Sequence, residues 1–218
     1  TEEASAWHNW LLRAAAGSPA NMQIMYGIWG QRRLLEWEAG WLAGYEGAKP
    51  VRVGNAAHAQ LQLDVYGELI DAFHQSRMAK LKLDEETWEL ECAVIQHLAE
   101  VWDRPDHGIW ERRGEPKHYV FSKVMTWVAF DRGIKSAETF GFEAPLLHWR
   151  TLREAIHRDV CNKGFDAAET AFVESYGSKL LDASVLLLPA VGFLPADDPR
   201  IRGTIAAVET RLMRDGFV

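Results

Sequence analysis

The chain has 218 residues, 48% of them hydrophobic, which is ample for one large domain with its own core. Its net charge of −7 excludes a general nucleic-acid binder, because neutralising phosphates needs a basic surface. No apolar run approaches the roughly 20 residues of a membrane span. Cys92 and Cys161 have no redox or metal-ligand spacing, so no disulfide, metal or other cofactor is expected.

Residues 2–16 read as a helix, with Trp7, Trp10, Leu11 and Ala14 on one face and Gly17-Ser18-Pro19 ending it. An irregular stretch rich in glycine and aromatics follows over residues 20–55, with strand-like pieces at 23–26 and 50–53. A loop region this long is more often functional than idle. The second helix is predicted over 56–78, where Leu61, Val65, Leu69 and Phe73 recur every four residues. The third starts at Asp84, an N-cap with Glu85 and Glu86 in the first turn, and continues to Trp102.

A fourth helix is predicted over 119–138 and a fifth over 145–160, followed by a polar segment over 162–178. The sixth, over 182–191, is apolar nearly all round and is expected to be buried on most sides. The seventh is marked by Asp198 as N-cap and Pro199 at the first helical position. The pattern is all-α, paired helices joined by alternating short and long loops.

Between the third and fourth helices lies Pro105-Asp106-His107-Gly108-Ile109-Trp110-Glu111-Arg112-Arg113-Gly114. A glutamate directly after a tryptophan can be desolvated by the indole, which disfavours the charged form and suits a general acid. A glycosidase asks this of its proton donor. The plain alternative is a connecting loop whose Trp packs on the core and whose Glu is solvated. Ten tryptophans also suit sugar binding, since indole faces pack on pyranose rings. Trp88, Trp127 and Trp149 fall on apolar stripes and are assigned to the core; Trp29, Trp41 and Trp110 are the sugar-platform candidates. The histidines show no paired ligand spacing, so no metal site is expected.

Several motifs in order resemble glycoside hydrolase family 15, the glucoamylase-like and bacterial trehalase-like enzymes. They are Gln23-Ile24-Met25-Tyr26-Gly27-Ile28, Gly44-Tyr45-Glu46-Gly47, Pro50-Val51-Arg52-Val53-Gly54-Asn55-Ala56-Ala57 and Gln62-Leu63-Asp64-Val65-Tyr66-Gly67-Glu68. Gly108-Ile109-Trp110-Glu111, Ser122-Lys123-Val124-Met125, Ser175-Tyr176-Gly177-Ser178, Leu181-Asp182-Ala183-Ser184 and Val191-Gly192-Phe193-Leu194-Pro195 complete the series.

The resemblance implies part of an (α/α)6 barrel and an inverting, two-carboxylate hydrolysis of an α-glucoside such as trehalose or a malto-oligosaccharide. It makes Glu111 the general acid and Trp110 its neighbouring wall. The family's general base falls after Val218, and its Arg-Asp pair for the terminal glucose falls before Trp7. The whole of 1–218 is thus expected to be an internal piece of the catalytic domain, without the N-terminal β-sandwich common in bacterial members. Both ends, Thr1-Glu2-Glu3 and Asp215-Gly216-Phe217-Val218, look cut from something longer and leave the compartment open. Trp29 and Gln31 depart from the family's acidic residues in their loop. Arg112, where fungal glucoamylases carry a second Glu, tilts the resemblance toward the trehalase branch.

Arg52, Asn55 and Lys49 are candidates for hydrogen bonds to sugar hydroxyls, with loop–loop bracing as the alternative. Arg113 and Lys123 either contact substrate hydroxyls or neutralise nearby carboxylates. Asp182 is read first as an N-cap and second as a sugar contact. A different class of function, a non-catalytic helical binding module on the same scaffold, fits a chain that ends before the base; a zinc-dependent cyclase does not, for want of ligands beside the cysteines. An isolated half barrel would leave apolar helix faces open and is expected to self-associate.

Overall fold

The computed structural model describes residues 1–81 and 85–218. Six α-helices are present among the described residues: α1 (Glu2–Ala15), α2 (Asp64–Met78), α3 (Glu85–Val101), α4 (Val120–Phe140), α5 (Leu146–Lys163) and α6 (Pro199–Arg211). The expected N-cap Asp84 lies outside the described residues. The fold is all-α, part of an (α/α)6 barrel, and among the described residues the sheets beside the helices are all two-stranded and antiparallel. No described helix is long and apolar enough to cross a membrane.

The helix ends follow local chemistry. Thr1 Oγ1 accepts from the Ala4 amide at 3.3 Å, and Glu2 and Glu3 sit where the helix dipole favours negative charge. Asp198 accepts from the Arg200 amide at 2.9 Å, with Pro199 opening α6. α4 stops at Gly141, whose φ of 75° closes the last turn onto Ala137 O.

α4 is the central element, buried on nearly every side, with α2 and α5 packed against it. The α2–α4 approach depends on Gly67, where a Cβ would fall 2.1 Å from the carbonyl oxygen of Met125. The backbones meet because no side chain separates them. Trp88, Trp127 and Trp149 are all buried in the core, as their stripes require. Trp88 meets Trp149 edge-on at 6.1 Å and stacks on Phe142 at 4.8 Å. Inside the same core, Arg77 pairs with Glu91, donating from Nη1 to Oε2 at 2.9 Å, and its guanidinium lies over the Trp88 and Phe142 rings. Two buried charges persist there as an ion pair.

Three expectations are corrected. The second helix starts at Asp64 rather than 56, because Asn55 caps a separate 3-10 turn, Ala56–Ala59, through the Ala57 amide at 2.9 Å. In place of a sixth α-helix there is a 3-10 helix, Ala183–Leu187, with Leu187 exposed. Pro189 lacks an amide to donate to Val185, and its ring opposes an α turn there. The strand-like piece at 23–26 is not a strand. β1 (Trp37–Glu38) pairs antiparallel with β2 (Arg52–Val53), Trp37 opposite Val53 and Glu38 opposite Arg52. In the polar segment, β3 (Phe165–Asp166) and β4 (Ala171–Phe172) form a second hairpin.

One apolar face stays open. A cleft of about 470 Å³ between α1 and α2 is lined by Trp7, Trp10, Leu11, Tyr26, Val65 and Leu69. Trp7 stacks on Trp10 at 5.1 Å and remains more than half exposed.

Candidate active site

The loop between α3 and α4 is closed at its base. Asp106 and Lys117 exchange backbone hydrogen bonds at 2.8 Å each, and the buried Asp106 carboxylate accepts from the Leu63 amide at 2.9 Å. The His107 amide donates to Leu61 O at 2.9 Å, so the loop is tied to the segment leading into α2. From this base the chain turns outward at Gly108, where a Cβ would fall 2.8 Å from the Tyr119 ring. It then presents Trp110, Glu111 and Arg112.

Glu111 has a φ of 51°, a left-handed conformation that favours glycine or asparagine. Strain of this kind persists where the surroundings hold it, and it clusters at functional sites. The Glu111 carboxylate is exposed at a cleft of about 400 Å³ shared with Glu36, Asn55, Gln60, His107 and Arg113. Its Oε2 accepts from Asn55 Nδ2 at 3.1 Å. Asn55 therefore serves twice, capping the 3-10 turn with Oδ1 and holding Glu111 with Nδ2.

The cleft's other carboxylate is held differently. Glu36 accepts from Arg113 Nη2 at 2.7 Å and from the Ala56 amide at 3.3 Å, and Arg52 Nε lies 3.4 Å from its Oε1. The Arg113 hydrogen bond, ahead of the other contacts, holds Glu36 below the usual carboxylate range. Arg52 also reaches Glu38 at 3.6 Å. Both arginines thus brace the mouth. Among the described residues Glu111 makes no ion pair and is touched by an amide alone. The two acids of one cleft are held differently: Glu36 is clasped by two guanidinium groups, and Glu111 by the Asn55 amide.

The residues flanking Glu111 point the other way. Trp110 Nε1 donates to Asp182 Oδ2 at 2.7 Å. Arg112 pairs with the buried Glu174, lies 3.8 Å from Asp182 Oδ2, and receives at its own carbonyl a hydrogen bond from Gln60 at 3.0 Å. Asp182 Oδ1 accepts from the amide and the hydroxyl of Ser184 at 2.8 and 2.5 Å. Asp182 is an N-cap, and its second oxygen holds the indole.

The expected desolvation of Glu111 by Trp110 is corrected: the indole turns toward Asp182, and Glu111 stays open to solvent. Glu111, Asn55 and Arg113 meet at one cleft, and Arg52 reaches it through Glu36. Lys49 does not; it is exposed and lines a separate cleft of about 450 Å³ with Pro50, Arg52 and Glu38. Lys123 does not line the cleft, and its nearby Asp106 fits the reading of it as a neutraliser of carboxylates. It is 1% exposed, and its Nζ donates to Trp102 O at 2.5 Å and to Arg104 O, closing the C-terminus of α3. Burial pushes its pKa down to about 8. Trp29 and Trp41 are exposed outside the cleft, Trp41 stacked on Trp37 at 5.5 Å.

Sequence reasoning missed Glu36, Gln60 and the Arg112–Glu174 pair. The available signal was Glu36-Trp37, an acid beside an indole as at Trp110-Glu111. It missed the buried acids below the loop as well. Burial, followed by the charge of Asp106, pushes Asp64 up to about 7, and burial raises Asp106 too.

Comparison with known proteins agrees with this architecture. The sequence model of glycosyl hydrolases family 15 matches residues 1–218. The chain is 42% identical over 197 residues to a trehalase of Mycobacterium tuberculosis, covering 90% of this chain and 29% of that protein. It is 41% identical to a trehalase of Thermoplasma volcanium, covering 86% and 29%, and 44% identical to one of Thermoplasma acidophilum, covering 80% and 30%. A solved glycosidase in complex with glucose superposes with a TM-score of 0.67 at 21% identity, covering 96% of this chain and 55% of that one. The fold alone is shared at that identity. The chain spans less than a third of the length of the M. tuberculosis and T. volcanium trehalases.

Proposed function

This chain belongs to glycosyl hydrolases family 15, and from that premise we propose that it forms the acid-bearing part of an inverting, trehalase-type α-glucoside hydrolase. Glu111 is the general acid: it protonates the glycosidic oxygen as the bond to the anomeric carbon breaks, and glucose is released. Water attacks the opposite face, and a second carboxylate takes its proton. The observation that carries this reading is the contrast within the cleft, where Glu36 is clasped by two arginines and Glu111 is held by an amide at 3.1 Å.

Glu36 is a poor choice of base for the same reason, since a carboxylate held below its usual range takes up a proton weakly. The base is therefore assigned to a segment outside residues 1–218, as the family resemblance implies. Asn55 steadies the acid, and Arg113, Arg52 and Glu36 form a charged rim that sugar hydroxyls can hydrogen-bond. Trehalose is the favoured substrate because relatives at 41–44% identity are trehalases.

The test is glucose release from trehalose, maltotriose and isomaltose by the full-length enzyme containing this chain, with and without Glu111→Gln. Trehalose is expected to be preferred, and the substitution to lower kcat by about 10²–10⁴-fold. Undiminished turnover by the variant would remove Glu111 from the acid role. If no sugar is hydrolysed by either form, a binding module on the same scaffold replaces the enzyme.

A further inference from the structure

The flanks of Glu111 share one anchor. Trp110 precedes it and donates to Asp182 Oδ2 at 2.7 Å; Arg112 follows it and reaches the same oxygen at 3.8 Å while pairing with buried Glu174. Glu111 itself, at φ 51°, leaves on the opposite side toward Asn55. Two side chains are thus drawn inward to one carboxylate while the middle one faces the cleft. Asp182 is fixed in its own right, because its other oxygen caps the Ala183–Leu187 turn through Ser184. It and Glu174 are both buried; Arg112 is the charge shared by the two, and Lys117 lies 4.0 Å from Glu174 as well.

We infer that Asp182 is a positioning residue for the acid: by holding Trp110 and Arg112 from one side, it fixes the strained backbone that aims Glu111 at the cleft. The inference rests on Glu111 being the acid. Asp182 acts through its neighbours and touches no reacting atom. Its purpose is orientation, and a small misplacement of a catalytic group lowers rate far more than binding.

Asp182→Asn is the selective variant. The amide oxygen still accepts from Ser184, but an N–H donor then faces the Trp110 N–H, and the charge opposite Arg112 is lost. Turnover is compared on trehalose and on α-glucosyl fluoride, whose fluoride leaves without being protonated. On trehalose kcat is expected to fall by about 10–100-fold with KM within about twofold, while the fluoride is hydrolysed within about threefold of the parent rate. Trp110→Phe removes the same hydrogen bond without touching the cap. It is expected to give the same selective loss, and the double variant no more than either alone. It also carries the test should Asp182→Asn fail to fold.

Equal losses on both substrates would overturn the inference, because a merely structural defect does not distinguish leaving groups. Glu111→Gln is run beside them. If it spares the fluoride and the Asp182 and Trp110 variants do not, the clamp fails alone. If it too loses both substrates equally, the acid assignment fails and the clamp with it.

Discussion

The helical interior and the loop-built mouth are held together by different forces. Around α4 the contacts are apolar and close-packed, with Trp149, Phe73 and Val124 essentially inaccessible, and the buried Arg77 is paired with Glu91. At the mouth the elements are two-residue strands, 3-10 turns and a loop, fastened by carboxylate–guanidinium pairs and side-chain hydrogen bonds near solvent. Stability resides in the first region, and the proposed chemistry in the second. Substitutions should therefore separate into those that move a melting curve and those that move a rate.

Arg77→Ala gives the largest effect on the interior side. It leaves Glu91 buried without its guanidinium partner, and a loss of about 3–5 kcal/mol is expected from urea unfolding midpoints. A shift below about 1 kcal/mol, of the size exposed pairs give, would erase the distinction between the regions.

Asp64→Asn probes an interior group that titrates. Folded Asp64 keeps its proton up to about pH 7, whereas the unfolded side chain releases it near 3.8. Folding then takes up a proton between those values, so parent stability falls as pH rises through that window and levels above it. The variant lacks this slope. It should match the parent near pH 4 and exceed it at pH 8 by about 2 kcal/mol, a partial share of the roughly 1.4 kcal/mol per pKa unit. Equal urea midpoints at pH 8 would count against a protonated, buried Asp64.

Arg113→Ala is the smallest of the series. An exposed pair with Glu36 adds little to stability, so the midpoint should scarcely move, and less still in high salt. A larger, salt-insensitive loss would show that the mouth shares in holding the fold.

The interior was the legible region. Asp198-Pro199 marked α6, the Trp149 stripe marked α5, and the three core tryptophans were placed from spacing. Where prediction failed, short-range competition decided: Asn55 captured the start of the second helix, and Pro189 shortened the sixth to a 3-10 turn. At the mouth, Trp110-Glu111 was visible as a motif, but the directions of its side chains were not. Glu36 was hidden because its partner Arg113 lies 77 residues away, and no local pattern joins them. Lys123 misled because a lysine on an apolar helix resembles a residue facing a cleft; here it faces the end of α3.

The contact between α2 and α4 divides the chain in another way. At position 67 there is no room for any side chain, so glycine is imposed there by geometry whatever work the protein does. At position 111 the reverse holds: the left-handed backbone would accept glycine or asparagine more readily than glutamate. A lineage released from the proposed acid role would keep the first residue and drift away from the second.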